Sequence, residues 1–301
     1  MKIFYHQSFV LPLPKRHRFP MQKYELLFEE VKKKLPMAKI LEAPEAKISE
    51  LQLVHSIKYI RSIKNGTLSN ESEKKIGFPW SKKVFERSKR ATGATISACR
   101  EAIKDGISVN LAGGTHHAFS DKGEGFCIFN DAAVAARLMQ KENKIKRVSI
   151  VDLDVHQGNG TAKIFENDDT VFTLSLHGKK NFPFNKEKSN IDISFEDGTG
   201  DENYLQELDN ALKIMFSKFS PDLIIYLAGA DPHENDRLGR MSLTLNGLNK
   251  RDKKIVTCSF TKKIPLVIVM AGGYGKEIKK TVDAHFQTIE LANFYQKNFW
   301  D

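Results

Sequence analysis

Cysteine is scarce in this chain: Cys99, Cys127 and Cys258 are odd in number and far apart. That spacing excludes a disulfide framework and points to a reducing, cytoplasmic setting. Long apolar runs are missing too. The longest, Leu223 to Ala228 and Pro265 to Ala271, have strand length and fall far short of a membrane span. The opening Met1-Lys2-Ile3-Phe4-Tyr5-His6 lacks the apolar stretch and cleavage site of a secretory signal and reads as a first strand. No internal repeat or low-complexity linker interrupts the 301 residues.

What is present in excess is positive charge, formally +10. The lysines are scattered in short groups such as Lys32-Lys33-Lys34 and Lys253-Lys254, with no aromatic-interleaved basic motif or zinc-finger spacing. They read as a solvated surface, and specific nucleic-acid binding is not expected. A 41% hydrophobic content supports a large core, in one α/β domain or two smaller ones.

Helical periodicity runs over about Met21–Lys34, Ser49–Ile63, Lys82–Lys104, Asn130–Lys141, Glu202–Phe219, Gly247–Lys262 and Lys276–Tyr295. Between these lie β-rich runs at Lys2–Tyr5, Ser108–Ala112, Arg147–Leu153, Thr170–Leu176, Asp222–Ala228 and Leu266–Ala271. Such alternation predicts βαβ units and a mainly parallel sheet flanked by helices. The polar stretch Asn65–Lys75 is the best candidate for a mobile loop.

Ligand chemistry in parallel α/β sheets collects beyond the carboxyl ends of strands. Five successive strands here end in Gly, His, Asp or Tyr. After Val148–Val151, the side chains of Asp152, Asp154 and His156 alternate, so a strand running out would project all three to one face. Gly158-Asn159-Gly160 then turns the chain into a helix. A catalytic zinc needs about three protein ligands and an open position. Asp154 and His156 supply two, and an acid of the Asp231–Asp236 loop supplies the third. The tandem His116-His117 is the source of a general base, and a Tyr on the Gly272-Gly273-Tyr274-Gly275 turn suits an oxyanion donor. Together these parts describe metal-assisted hydrolysis of an amide.

The ordered set Gly113-Gly114-Thr115-His116-His117, Gly125-Phe126-Cys127-Ile128-Phe129-Asn130-Asp131, Asp152 through Gly160, Ser175-Leu176-His177, Asp231 through Gly239 and Gly272-Gly273-Tyr274 resembles the zinc-dependent histone deacetylase superfamily. The short length, His156-Gln157-Gly158-Asn159-Gly160 and Asp236-Arg237-Leu238-Gly239 look most like its class IV and bacterial branch. The resemblance runs from His17 to the final helix. It implies a single catalytic domain over 1–301 with the arginase-like fold, a parallel sheet of about eight strands between helices. It further implies zinc on Asp154, His156 and Asp236. His117 would be general base and acid, His116 would pair with Asp152, and Tyr274 would donate to the oxyanion.

By the same resemblance, Gly125, Phe126 and Phe182 line a channel for an acyl-lysine stem, and Arg18 lies in an internal acetate-exit region. A monovalent cation, K+ or Na+, would sit on Asp152, Ser175 and Leu176 with backbone oxygens of Asp154 and His156. One departure stands out: Asn159 replaces an Asp that several branches pair with the second histidine, so the base should titrate lower. The charged rim residue that some branches use to grip the substrate backbone has no obvious counterpart, and Phe78-Pro79-Trp80 is expected to wall the entrance. The substrate expected is an acyl-lysine protein or peptide, or an acetylated small amine such as an acetylpolyamine. A binuclear manganese ureohydrolase of the same fold would need bridging carboxylates where His116, His117 and Tyr274 stand. A non-catalytic acyl-lysine binder would not need so complete a set.

Overall fold

The computed structural model describes residues 1–15 and 17–300. One eight-stranded sheet organises it: β1 (Lys2–Tyr5), β2 (Lys39–Glu42), β3 (Ile107–Asn110), β4 (Val148–Asp152), β5 (Val171–Gly178), β6 (Ile191–Phe195), β7 (Leu223–Leu227) and β8 (Leu266–Val269). Their order is β2-β1-β3-β8-β7-β4-β5-β6, and every pairing is parallel. Ten α-helices among the described residues flank it. The α/β sheet expected from the alternating pattern is therefore the one observed.

The central strands are apolar on both faces because helices cover both. Val148 and Ile150 of β4, with Val267 and Val269 of β8, enter one apolar core. Val151 and Leu153, with Leu266 and Ile268, enter the other. The two strands that periodicity did not reveal, β2 and β6, are the sheet's edges. Largely exposed in β2 and polar on one face in β6, they carry no apolar run to read.

Two further expectations need correction. The stretch Asn65–Lys75 is not simply a loop: it includes most of the helix Asn70–Ile76. Ser69 caps it by accepting from Ser72 N, Glu71 and Glu73 occupy its first turn, Lys74 and Lys75 its last, and Gly77 ends it at φ 82°. With only Ile76 buried, it has no apolar stripe to betray it. The single helix expected over Ser49–Ile63 is two, Ile48–Leu51 and Ile57–Asn65. Ser56 N donates to Ser120 O at 2.8 Å and the Ser56 hydroxyl caps the second helix, which breaks the run. Among the described residues, no helix is long and apolar enough to cross a membrane.

Candidate active site

The turn after β3 carries the histidine pair. Gly113 and Gly114 lie at φ 79° and 75°, and a Cβ on Gly114 would stand 2.6 Å from Ala271 Cα, so both positions require glycine. Asp131 pins the turn: its carboxylate accepts from Gly114 N (3.1 Å), Thr115 N (2.7 Å) and the hydroxyls of Thr115 and Thr95 (2.6 Å each). His116 and His117, 3% and 4% exposed, are thus presented side by side, ring centroids 4.0 Å apart.

Each histidine has its own partner. His116 Nδ1 meets Asp152 Oδ2 at 2.6 Å. Burial alone would lower its pKa, but the charges of Asp152 and Asp154 raise it to about 9. His117 Nδ1 meets Asn159 Oδ1 at 2.7 Å, and Asn159 Nδ2 donates to Glu124 Oε1 at 2.6 Å. A carboxylate only accepts, so Glu124 turns the Asn159 amide nitrogen toward itself and its oxygen toward His117. The imidazole must then carry its proton on Nδ1, leaving Nε2 as a base. Burial, then the charges of His116 and His156, hold His117 well below the usual histidine range, in the direction that the neutral Asn159 suggested.

β4 ends at Asp152 and the chain bends over 154–156, yet the residues expected together are together. Asp154 and His156 are buried together, with His156 Nδ1 2.9 Å from Asp154 Oδ1. The third member of the cluster is Asp231, whose Oδ2 lies 3.2 Å from His156 Nδ1. Donor atoms of Asp154, His156 and Asp231 all fall within 4.8 Å of one another. Asp236, the acid expected third, is not among them. Backbone groups take up its oxygens: Oδ1 accepts from Leu238 N (2.8 Å) and Gly239 N (2.9 Å), and Oδ2 from Tyr274 N (2.6 Å). Asp236 thus anchors the Tyr274 turn, while Asp231 is the acid of this loop that stands with Asp154 and His156.

The buried Asp231 Oδ2 makes no well-aligned hydrogen bond, only the 3.2 Å approach of His156, and an oxygen–nitrogen–oxygen donor set of two Asp and one His suits zinc. The residues present therefore fit that ion. Burial, then the neighbouring Asp154 charge, pushes Asp231 up to about 7. Burial opposes ionisation of Asp154 as well, but His116 and His156 outweigh it and hold that carboxyl below its ordinary range. Arg251, fully buried, donates to Gly229 O (2.7 Å) and Leu153 O (3.2 Å), tying the ends of β7 and β4 behind the two acids.

Tyr274 completes the floor at 7% exposure, and burial drives its phenol well above the usual range, so it remains a donor. Its turn is held from behind by Lys23, whose Nζ donates to Ala271 O (3.0 Å) and Gly273 O (3.4 Å). Burial brings Lys23 down to about 8 against the pull of Asp231 and Asp154. Nothing in the motif set named Lys23. The signal was there, since it occupies the buried stripe of its helix with Leu27 and Val31.

A cavity of about 430 Å³ is lined by His117, His156 and Tyr274 together with Gly125, Phe126 and Phe182. A Cβ on Gly125 would stand 2.6 Å from the His117 ring, and Phe182 meets that ring edge-on at 4.8 Å. Phe126 is held at φ 66°, a strained conformation for a non-glycine residue. Arg18 is not interior: it is exposed and lines the mouth. The arginine of the chamber behind the floor is Arg87, 4% exposed, bonded to Phe9 O at 2.9 Å. Phe78 does not wall the entrance either. It is 3% exposed and packs on Phe19 and Phe126, while Trp80 Nε1 donates to Ile63 O. The wall is made by Lys74, Lys75, Ile76 and Gly77 instead. Of the expected cation-binding residues, Asp152 and Ser175 stand directly opposite in the β4–β5 register.

A parallel eight-stranded sheet with two histidines, a carboxylate-rich donor cluster and a tyrosine at its carboxyl end defines a deacetylase-type hydrolase site. The family model of the histone deacetylase domain matches residues 17–289, and the chain belongs to that family. It is 40% identical over 285 residues to an uncharacterized protein of Picosynechococcus sp., covering 94% of this chain and 95% of that one. It is 32% identical to Histone deacetylase 2 of Arabidopsis thaliana, over 85% of this chain and 69% of the relative. The crystal structure of an HDAC homologue from Aquifex aeolicus superposes with a TM-score of 0.80 at 26% identity, covering 97% and 83% of the two chains.

Proposed function

We propose that this chain hydrolyses the side-chain amide of acyl-lysine in proteins or peptides, with one zinc held by Asp154, His156 and Asp231. The observation that carries the reading is the donor cluster of those three residues, whose His156 lines one cavity with His117 and Tyr274. Zinc, when bound, would supply Lewis acidity, polarising the amide carbonyl and lowering the pKa of a water.

The remaining work belongs to the chain. Phe126, Phe182 and Gly125 sheathe a thin alkyl stem and exclude water along it. Tyr274 Oη donates to the carbonyl oxygen as charge develops there. His117 Nε2 takes a proton from the attacking water and returns one to the departing amine. His116, paired with Asp152, stays charged and lends its field to the floor. A K+ or Na+ ion would be held by Asp152, Ser175 and Leu176 with backbone oxygens of Asp154 and His156. The Asp152–Ser175 register supports that placement. The His156-Gln-Gly-Asn-Gly160 segment and the Asp236-Arg-Leu-Gly239 ending favour the class IV and bacterial branch.

The test is turnover of a neutral acetyl-lysine peptide, longer acyl-lysine peptides and an acetylpolyamine by the zinc-loaded protein, followed by mass. Peptide cleavage that a chelator stops and one equivalent of zinc restores is the expected result. Cleavage of the acetylpolyamine alone would overturn the protein-substrate reading. No cleavage by zinc-replete protein would overturn the hydrolase reading itself.

A further inference from the structure

Five cations stand around the cavity mouth: Arg18, Lys74, Lys75, Lys180 and Arg240, all exposed. No carboxylate lines the cavity beside them. The nearest acids balance only part of this charge. Asp197 lies 2.6 Å from Arg240 and 3.9 Å from Lys180, and Glu71 lies 2.7 Å from Lys75. Among the described residues no ion pair engages Arg18 or Lys74. Behind the rim, Lys186 spends its Nζ on the carbonyls of Asn181 and Pro183 and faces no carboxylate in an ion pair.

Resting on the reading above, we propose that the substrate is an acyl-lysine flanked by carboxylate side chains, an acidic protein segment rather than a basic tail or a polyamine. The acyl-lysine amide itself is neutral, so the deep channel does not discriminate by charge. Whatever flanks it must lie at the mouth, where excess positive charge at low-dielectric walls concentrates anions and repels cations. A lysine-rich tail brings its own ammonium groups against Arg18 and Lys74. An acetylpolyamine brings an ammonium along the same exit. An acidic segment finds two cations whose charge no carboxylate has claimed: Lys74 on the helix Asn70–Ile76, and Arg18 in the loop before the helix Lys23–Lys34. Phe184, 86% exposed beside them, offers an apolar contact to the segment's backbone.

The experiment compares kcat/KM for three peptides of equal length, each with a central acetyl-lysine flanked by Asp, by Ala or by Lys. Low salt and about 0.5 M salt are both used, since screening at the higher concentration shortens the reach of exposed charge to a few ångströms. At low salt the Asp peptide should exceed the Lys peptide by about tenfold, the low end of electrostatic steering, chiefly through KM. The ratio should fall toward one at high salt, and the double variant Arg18→Glu with Lys74→Glu should shrink or reverse it. Equal or higher kcat/KM for the Lys peptide overturns this inference, while turnover of the Ala peptide leaves the hydrolase reading standing. Silence of all three with zinc bound overturns both. An acetylated amino acid bearing only its own carboxylate, cleaved faster than any peptide, would move the substrate class to small molecules and overturn the protein form.

Discussion

The floor and the mouth of one cavity are built by different means. At the floor, His116, His117, Asp154, His156, Asp231 and Tyr274 are each under 9% exposed, and their turns are held by backbone N–H groups, by Asp131, by Asp236 and by the buried Lys23. At the mouth, charged side chains stand in water on one two-turn helix and on loops, and several bond to nothing but a surface carboxylate. A burial of this kind leaves little latitude at the floor, because each displaced polar group would lose a partner that water cannot replace. The mouth has wide latitude, since exposed pairs are worth at most about 1 kcal/mol each. On the proposed reading, changes at the floor should therefore alter the reaction itself and changes at the mouth the choice of substrate.

The sharpest way to break that contrast is at the two acids of one loop. Asp231→Asn should abolish stoichiometric zinc and all detectable turnover. Asp236→Asn should keep zinc, and by loosening the Tyr274 turn should lower kcat by about 10²-fold, the scale of a misplacement near 1 Å. Zinc analysis and kinetics on both variants decide it; zinc lost from Asp236→Asn and retained by Asp231→Asn would restore Asp236 as ligand.

Next comes Tyr274→Phe, expected to lower kcat by 10²–10³, about 2.7–4 kcal/mol, with zinc content unchanged. A loss confined to KM would show that the phenol grips the ground state instead.

Acid probes what supports the floor. His55, 2% exposed, bridges Phe119 O through Nδ1 (2.9 Å) and receives Asn130 N at Nε2 (2.9 Å), and burial lowers its pKa to about 4. Between pH 6.5 and 4 the unfolded chain binds this proton and the folded chain does not, so stability falls as pH falls through that window. The loss should approach about 3 kcal/mol. Denaturant unfolding at several pH values measures it, and His55→Gln, which keeps a donor and an acceptor, should flatten the slope. An unchanged slope would assign the acid sensitivity elsewhere.

The smallest effect is expected nearest the mouth. Phe182→Ala uncovers part of a stem whose methylenes are worth about 0.8 kcal/mol each, so KM should rise by roughly tenfold with zinc intact. Unchanged kinetics across several acyl-lysine peptides would mean that the stem runs elsewhere.

The same contrast governs how much could be read in advance. Asp154 and His156 were legible because they follow directly from the buried end of β4, where the chain bends with both side chains buried together. Asp231 and Asp236 were not separable: both are acids in one loop, and the choice depends on which carboxylate the backbone N–H groups of Leu238, Gly239 and Tyr274 consume. Arg18 and Arg87 are likewise both arginines, and only the packing of the helix Lys82–Asp105 on Phe9, Phe19 and Tyr24 brings Arg87 inside. At the mouth the helix Asn70–Ile76 was written in capping chemistry, which a search for apolar periodicity passes over.

The order of the sheet has one more consequence. β8 lies between β3 and β7, so four residues, Leu266–Val269, are the only strand that joins β2-β1-β3 to β7-β4-β5-β6. The histidine pair belongs to the first half-sheet, the donor cluster to the second, and Tyr274 follows the clasp itself. In the folded chain the histidine pair, the donor cluster and Tyr274 are therefore brought to one place only through the pairing of β8 with β3 on one side and β7 on the other. Neither half-sheet alone holds the complete set of these groups.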